Sequence, residues 1–158
     1  MNLHEKNSFL ERLDWEMNTS IKVMKAMPAD KLDVKPHPTS RSAKELMHVL
    51  IHELAFMKDI ADGELDWEKA YGEYGTTLDE ITSRAAANHM EVMDKLKNIP
   101  DEELQKPIRF TSHEIPRLEA MLELMFDQIH HRGQLSIYVR MNGGKVPQIY
   151  GPSYDEPM

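Results

Sequence analysis

Apolar residues recur at three- and four-residue steps over most of the chain, with charged residues between them, which is the signature of amphipathic helices. From about Asn7 to Met27 the stripe is Leu10, Leu13, Met17, Ile21, Met24 and Met27, and Pro28 ends it. Pro36, Pro38, Thr39 and Ser40 keep the following stretch non-helical, and Ser40 or Ser42 caps a second helix, with Glu45 in the capping-box position three residues beyond Ser42. This helix is expected to run to about Asp62, where Gly63 stops it. Trp67, Tyr71 and Tyr74 then lie among acidic residues in a loop with a short helical turn. Thr76 or Thr77 caps a third helix with the stripe Leu78, Ile81, Ala85, Asn88, Val92, Leu96 and Ile99, closed by Pro100. Asp101 to Leu104 suffices for one helical turn, and Pro107-Ile108-Arg109-Phe110 is too short for more than an extended connector. A fourth helix is expected to start between Ser112 and Pro116, where proline suits the first turn, and to run through Leu118, Leu122, Met125 and Ile129 to about Asn142. Gly143-Gly144 ends it, and an extended tail follows from about residue 143, with Tyr150 and Tyr154 available to pack back.

Four long helices without strand alternation predict an all-α four-helix bundle. At 158 residues the chain is expected to form one domain, 1–158, long enough to bury a continuous core. The twelve methionines spread along the stripes read as adaptable core filler. No apolar run approaches the ~18 residues of a membrane span. The first residues show no secretory signal, and with no cysteine the default expectation is the cytoplasm. A formal charge of -8, from 27 acidic and 19 basic residues, repels phosphate backbones and argues against nucleic acid as a partner.

The candidate chemistry lies on the fourth helix, in Phe126-Asp127-Gln128-Ile129-His130-His131-Arg132-Gly133-Gln134. Asp127 and His131 are four residues apart, so on a helix they share one face. Stepping from Ala120 through Leu124 and on to Tyr138 turns both inward, and a buried carboxylate needs a partner or a metal. The best third donor is His48, in the otherwise apolar Leu46-Met47-His48-Val49-Leu50. Two imidazoles and a carboxylate commonly hold a divalent ion that keeps positions open for water or substrate. His52, one turn after His48, is a fourth ligand or a hydrogen-bond partner of the first three; His130 sits about 100° round the helix from His131 and is a surface residue or, like Arg132 and Tyr138, a group that supports the ligands from behind. Arg132 or Arg140 would hold a substrate carboxylate, and Tyr138, Tyr150 and His52 are general-base candidates by proximity. His4, His37, His89 and His113 lack partners at ligand spacing and read as solvated. A plainer reading also exists: a buried Asp127–His131 hydrogen bond, or an Asp127 salt bridge to Arg132, with no metal.

Leu46-Met47-His48-Val49 after a Pro-rich loop, His130-His131-Arg132-Gly133-Gln134, Tyr138-Val139-Arg140 and Gly144-Lys145-Val146-Pro147 together resemble the DinB-like proteins, relatives of the YfiT metal-dependent hydrolase group. The resemblance covers almost the whole chain. It implies an up-down-down-up four-helix bundle, frequently a homodimer, with a divalent metal (Zn, Ni, Fe or Mn) on three histidines. One histidine comes from the second helix and two, four residues apart, from the last. Carried over, the metal ligands are His48 and His131, and the middle histidine falls on Asp127, a departure that shifts preference toward harder ions. Some relatives are thiol-dependent transferases or isomerases, so a low-molecular-weight thiol is an expected cosubstrate. The competing functions are therefore a metal-dependent transferase or hydrolase-like enzyme, a non-catalytic metal-binding or stress-response bundle, and a bundle with a vestigial site.

Overall fold

The computed structural model describes residues 3–69 and 73–157, with side chains from Lys6 onward; Tyr71 and the side chain of His4 lie outside the described residues. Among the described residues, four long helices, α1 (Leu3–Lys25), α2 (Ala43–Asp62), α3 (Leu78–Asn98) and α5 (Arg117–Met141), are joined by a 3-10 turn at Ala29–Lys31, a short helix α4 (Asp101–Leu104) and two strands, β1 (Pro107–Phe110) and β2 (His113–Pro116).

Local chemistry sets the ends of these helices. Ser42 accepts a hydrogen bond from the Glu45 amide and Glu45 from the Ser42 amide, closing the expected capping box of α2; Thr77 and Glu80 do the same for α3. These backbone amides hold the Glu45 and Glu80 carboxyls down at about 2. Gly63 ends α2 in the left-handed region at φ 87°, where a Cβ would also meet the Arg117 guanidinium at 2.2 Å. Arg117 NH1 in turn donates to the Ala61 carbonyl and Glu103, tying the start of α5 to the end of α2.

Two core layers reveal the helix directions. One joins Leu13, Met57, Leu96 and Met121; the other joins Met24, Met47, Ile81 and Leu135. The start of α1 therefore lies level with the end of α2, the end of α3 and the start of α5, so α1 and α5 run one way and α2 and α3 the other. α1 packs between α3 and α5, and α2 between the same two helices.

The architecture departs from a plain four-helix bundle. Pro107–Phe110, expected as a connector, pairs antiparallel with His113–Pro116 in the register Ile108↔Ile115, and α5 begins at Arg117, after the hairpin. Ile108 is buried, and Phe110 sets its ring edge-to-face on Trp67 at 5.2 Å, so the hairpin closes one end of the bundle.

The tail turns back as expected for Tyr150 but not for Tyr154, which is 89% exposed. Gly144 passes so close to α1 that a Cβ would lie 2.5 Å from the Ala26 carbonyl oxygen. Asp155 accepts from the Val146 amide and pairs with Arg140 at 2.6 Å.

Candidate metal centre

α2 brings its polar residues to one side of an apolar helix. Leu46, Leu50, Met57 and Ile60 are core residues, and Glu53 falls in the same three-and-four series, which buries its carboxylate to 4% exposure. α5 passes opposite with Asp127 and His131. Among the described residues, Glu53, Asp127 and His131 are the acidic and imidazole side chains that converge, each offering a donor atom within 4.8 Å of the others. His131 Nε2 lies 3.5 Å from Asp127 Oδ2. His131 is buried as expected, whereas Asp127, expected inward, has a side chain 53% exposed at the edge of the site.

Glu53 is the anomaly. Among the described residues, no donor reaches either of its buried carboxylate oxygens. Burial pushes its carboxyl well above the ordinary range, and the neighbouring Asp127 carboxylate pushes it further; the Arg41 charge opposes them. Such a group either keeps its proton and shares it with Asp127 or meets a cation.

The ring of His131 is oriented from its other side. Nδ1 lies 2.9 Å from Gln134 Oε1, and Gln134 Nε2 lies 2.9 Å from His130 Nε2. An amide oxygen only accepts, so Nδ1 carries a hydrogen and Nε2 is the ring nitrogen that faces the carboxylates. His130 thus acts through Gln134 and not at the cluster, in keeping with its outward placement.

His48 does not join the compact group. Its Nε2 donates to the Gly75 carbonyl at 3.1 Å, and its ring meets Tyr74 edge-to-face at 5.6 Å. It nevertheless borders the same cavity, about 380 Å³, as do His52, Arg41 and Trp67. Burial lowers the pKa of both His48 and His52 against the hydrogen bonds that favour their charged forms.

Four other expectations are corrected. Arg132, offered as a partner of the site or a substrate anchor, is 1% exposed on another face of α5, where NH1 donates to Glu16 Oε2 at 2.7 Å and NH2 to the Tyr150 hydroxyl at 2.7 Å. A charge so deep persists only with its partners in place, which commits it to the interior. Tyr150 likewise donates to Glu16 and not into the site. Tyr138 acts at one remove, donating from its hydroxyl to the Arg41 carbonyl at 2.9 Å. His89 is not solvated: it is buried, with Nε2 2.9 Å from Asp14 Oδ1, and burial lowers its pKa against the pull of that carboxylate.

Two carboxylates and an imidazole with its Nε2 aimed at them form an oxygen-rich set suited to a divalent cation, and the donor-free oxygens of Glu53 are what such an ion would satisfy. Sequence reasoning missed Glu53 and Gln134. The signal for Glu53 was present: a lone acidic residue in core register within Leu50–Met57.

Among known proteins, a model of the DinB family matches residues 1–158. The uncharacterized protein YrdA of Bacillus subtilis (strain 168) is 39% identical over 56 residues, 35% of this chain and 34% of that one, so the match spans about a third of that relative. The uncharacterized protein YjoA of the same organism is 26% identical over 144 residues, 88% of this chain and 92% of YjoA. The crystal structure of the DinB-like protein YjoA superposes with a TM-score of 0.73 at 20% identity, covering 96% of this chain and 99% of that one. A DinB-like protein from Bacillus cereus ATCC 10987 superposes with a TM-score of 0.74 at 22% identity, covering 91% and 97%. At these identities the structural likeness shows the fold alone.

Proposed function

The chain belongs to the DinB family, and from that premise we propose that Glu53, Asp127 and His131 hold a divalent metal ion serving a transferase- or hydrolase-like reaction with a small thiol or water as nucleophile. The carrying observation is Glu53, whose two buried oxygens meet no donor while they face Asp127 and His131. An ion bound there would supply Lewis acidity and lower the pKa of a thiol or water. The chain's own groups prepare for it. Gln134 fixes the His131 tautomer, and His48, whose Nε2 hydrogen is spent on Gly75, has an Nδ1 lone pair left. The carboxylate-rich set favours Mn, Fe or Zn over Ni.

A second reading is supported by the raised Glu53 pKa: a protonated Glu53 sharing its hydrogen with Asp127 in a metal-free, vestigial site. Metal analysis of protein purified without chelator or metal-binding tag, with calorimetric titration of Mn(II) and Zn(II), separates the two. The proposal expects one ion per chain, lost in Glu53→Gln and His131→Ala; a parent protein that takes up no ion establishes the vestigial reading. With binding in hand, turnover of thiol–electrophile pairs decides between an enzyme and a non-catalytic metal binder. Activity that survives in metal-free His131→Ala would refute the catalytic part.

A homodimer through α5 belongs to the same proposal. Phe126, Ile137 and Met141 are exposed along one stripe of α5, and Gly133 lies within that stripe with nothing within 4 Å of where a Cβ would stand, leaving room for close helix approach.

A further inference from the structure

The arginines expected to hold a substrate carboxylate are spent elsewhere: Arg132 on Glu16 and Arg140 on Asp155. Arg41 is different. Among the described residues its side chain makes no hydrogen bond and no ion pair, although it projects from a fixed base: the Tyr138 hydroxyl holds its carbonyl at 2.9 Å, and Ser42, the next residue, caps α2. Arg41 borders two cavities at once. One is the cavity of about 380 Å³ over Glu53, Asp127 and His131. The other, about 630 Å³, has Thr39, Gln134, Ile137 and Tyr138 on its walls, a mixed polar and apolar surface of the size that takes a small metabolite.

From this placement we infer that the substrate is a small molecule bearing a carboxylate, which docks on the Arg41 guanidinium from the larger cavity and reaches its other end into the smaller cavity over Glu53, Asp127 and His131. The inference rests on the proposed metal site for the reaction at that other end, but not for the anchoring. A guanidinium presents a planar fork that matches a carboxylate through two parallel hydrogen bonds. A phosphate would bring a second negative charge toward a site that already carries Glu45, Glu53 and Asp127, in a chain of formal charge -8. One arginine suits one negative charge.

The test titrates the full-length 15N-labelled protein with hexanoate, hexanamide and hexyl phosphate, once with zinc and once in EDTA, following amide and side-chain shifts at Thr39, Gln134 and Tyr138; zinc affinity is measured separately by calorimetry. We expect saturable shifts with hexanoate and about tenfold weaker binding of hexanamide, the loss of one charge-assisted hydrogen-bonding group. Arg41→Gln should weaken hexanoate by a similar factor while leaving the melting temperature unchanged, and Arg41→Lys, which keeps the positive charge near Glu53, should fall between. Equal binding of hexanoate and hexanamide, tighter binding of hexyl phosphate, or indifference to Arg41→Gln would overturn the inference, even where zinc binds. Arg41-dependent binding of hexanoate in EDTA by a chain that takes up no zinc would uphold the anchor and sink the metal site, so the two failures are distinguishable.

Discussion

Adjacent residues on α5 serve two buried charge clusters that differ in one respect. Arg132 meets Glu16 through side chain and carbonyl, and the Tyr150 hydroxyl bridges the pair, so the donors and acceptors of that cluster are matched within the chain. His131, one residue earlier, faces Glu53, whose oxygens meet no donor, and Asp127, which is half exposed. Both clusters bury carboxylates against the cost of desolvation. The closed one is a structural joint between α1, α5 and the tail; the open one retains acceptor capacity that only something from outside can fill.

The sharpest way to break this contrast is Arg132→Met, which strands Glu16 in the core. The expected loss is about 3–5 kcal/mol in urea unfolding, and Glu16→Leu in the same chain should recover most of it. A single variant as stable as the parent would show that the closed cluster is not a joint at all.

On the open side, Gln134→Leu removes the acceptor that fixes His131. Zinc affinity should drop by about 10- to 100-fold, and 15N shifts of metal-free protein should show His131 moving from one Nδ1–H tautomer to a mixture. An unchanged tautomer would mean that the amide does not orient the ring.

The open cluster should also show itself in the pH response. Glu53 has a folded-state pKa raised above 4.5, so its contribution to metal-free stability is fully present below 4.5 and lost as pH rises through the folded value. His48, His52 and His89 have folded-state values below 6.5, so their contribution is present above 6.5 and lost as pH falls below it. In EDTA, Glu53→Gln should flatten the alkaline limb, by about 1–2 kcal/mol at neutral pH, and leave the acid limb in place. Saturating metal should flatten it too, because the ion replaces the proton. An alkaline limb unaltered in Glu53→Gln would assign it to another group.

The smallest effect on stability is expected at the exposed stripe. Ile137→Glu should change unfolding by about 0.5 kcal/mol or less yet convert a dimer to a monomer in light scattering. A parent that is already monomeric at micromolar concentration would remove the dimer from the proposal.

Much of this fold was legible because its signals are local. Ser42 with Glu45, Thr77 and Gly63 mark helix ends by chemistry confined to a few residues, and all three act as expected, Glu80 adding a capping box at Thr77. The hairpin was not legible: its two-residue turn is Thr111-Ser112, without glycine or asparagine, and Thr111 takes φ 52° where neither residue type advertises it. Its strands are also too short for alternation to declare itself. In the site, Asp127 and His131 were found because they share a helix, and their pairing is set by the 3.6-residue turn. The third member required knowing which residue of α2 lies opposite, a tertiary fact. His48 and Glu53 are both polar breaks in an apolar helix, and the rotation of α2 against α5, not the sequence of either, brings Glu53 to the cluster and turns His48 toward Gly75.

The joint between α1 and the tail constrains the timetable of assembly. Glu16 meets Arg132 across 116 residues of chain and Tyr150 across 134, and Lys6 donates to the Lys97 and Ile99 carbonyls more than 90 residues on. As the polypeptide leaves the ribosome, α1 therefore carries inward-facing charges whose counterparts have yet to be translated. α1 is made before α5 and the tail segment that match its charges, so it is seated only after Arg132 and Tyr150 have been released.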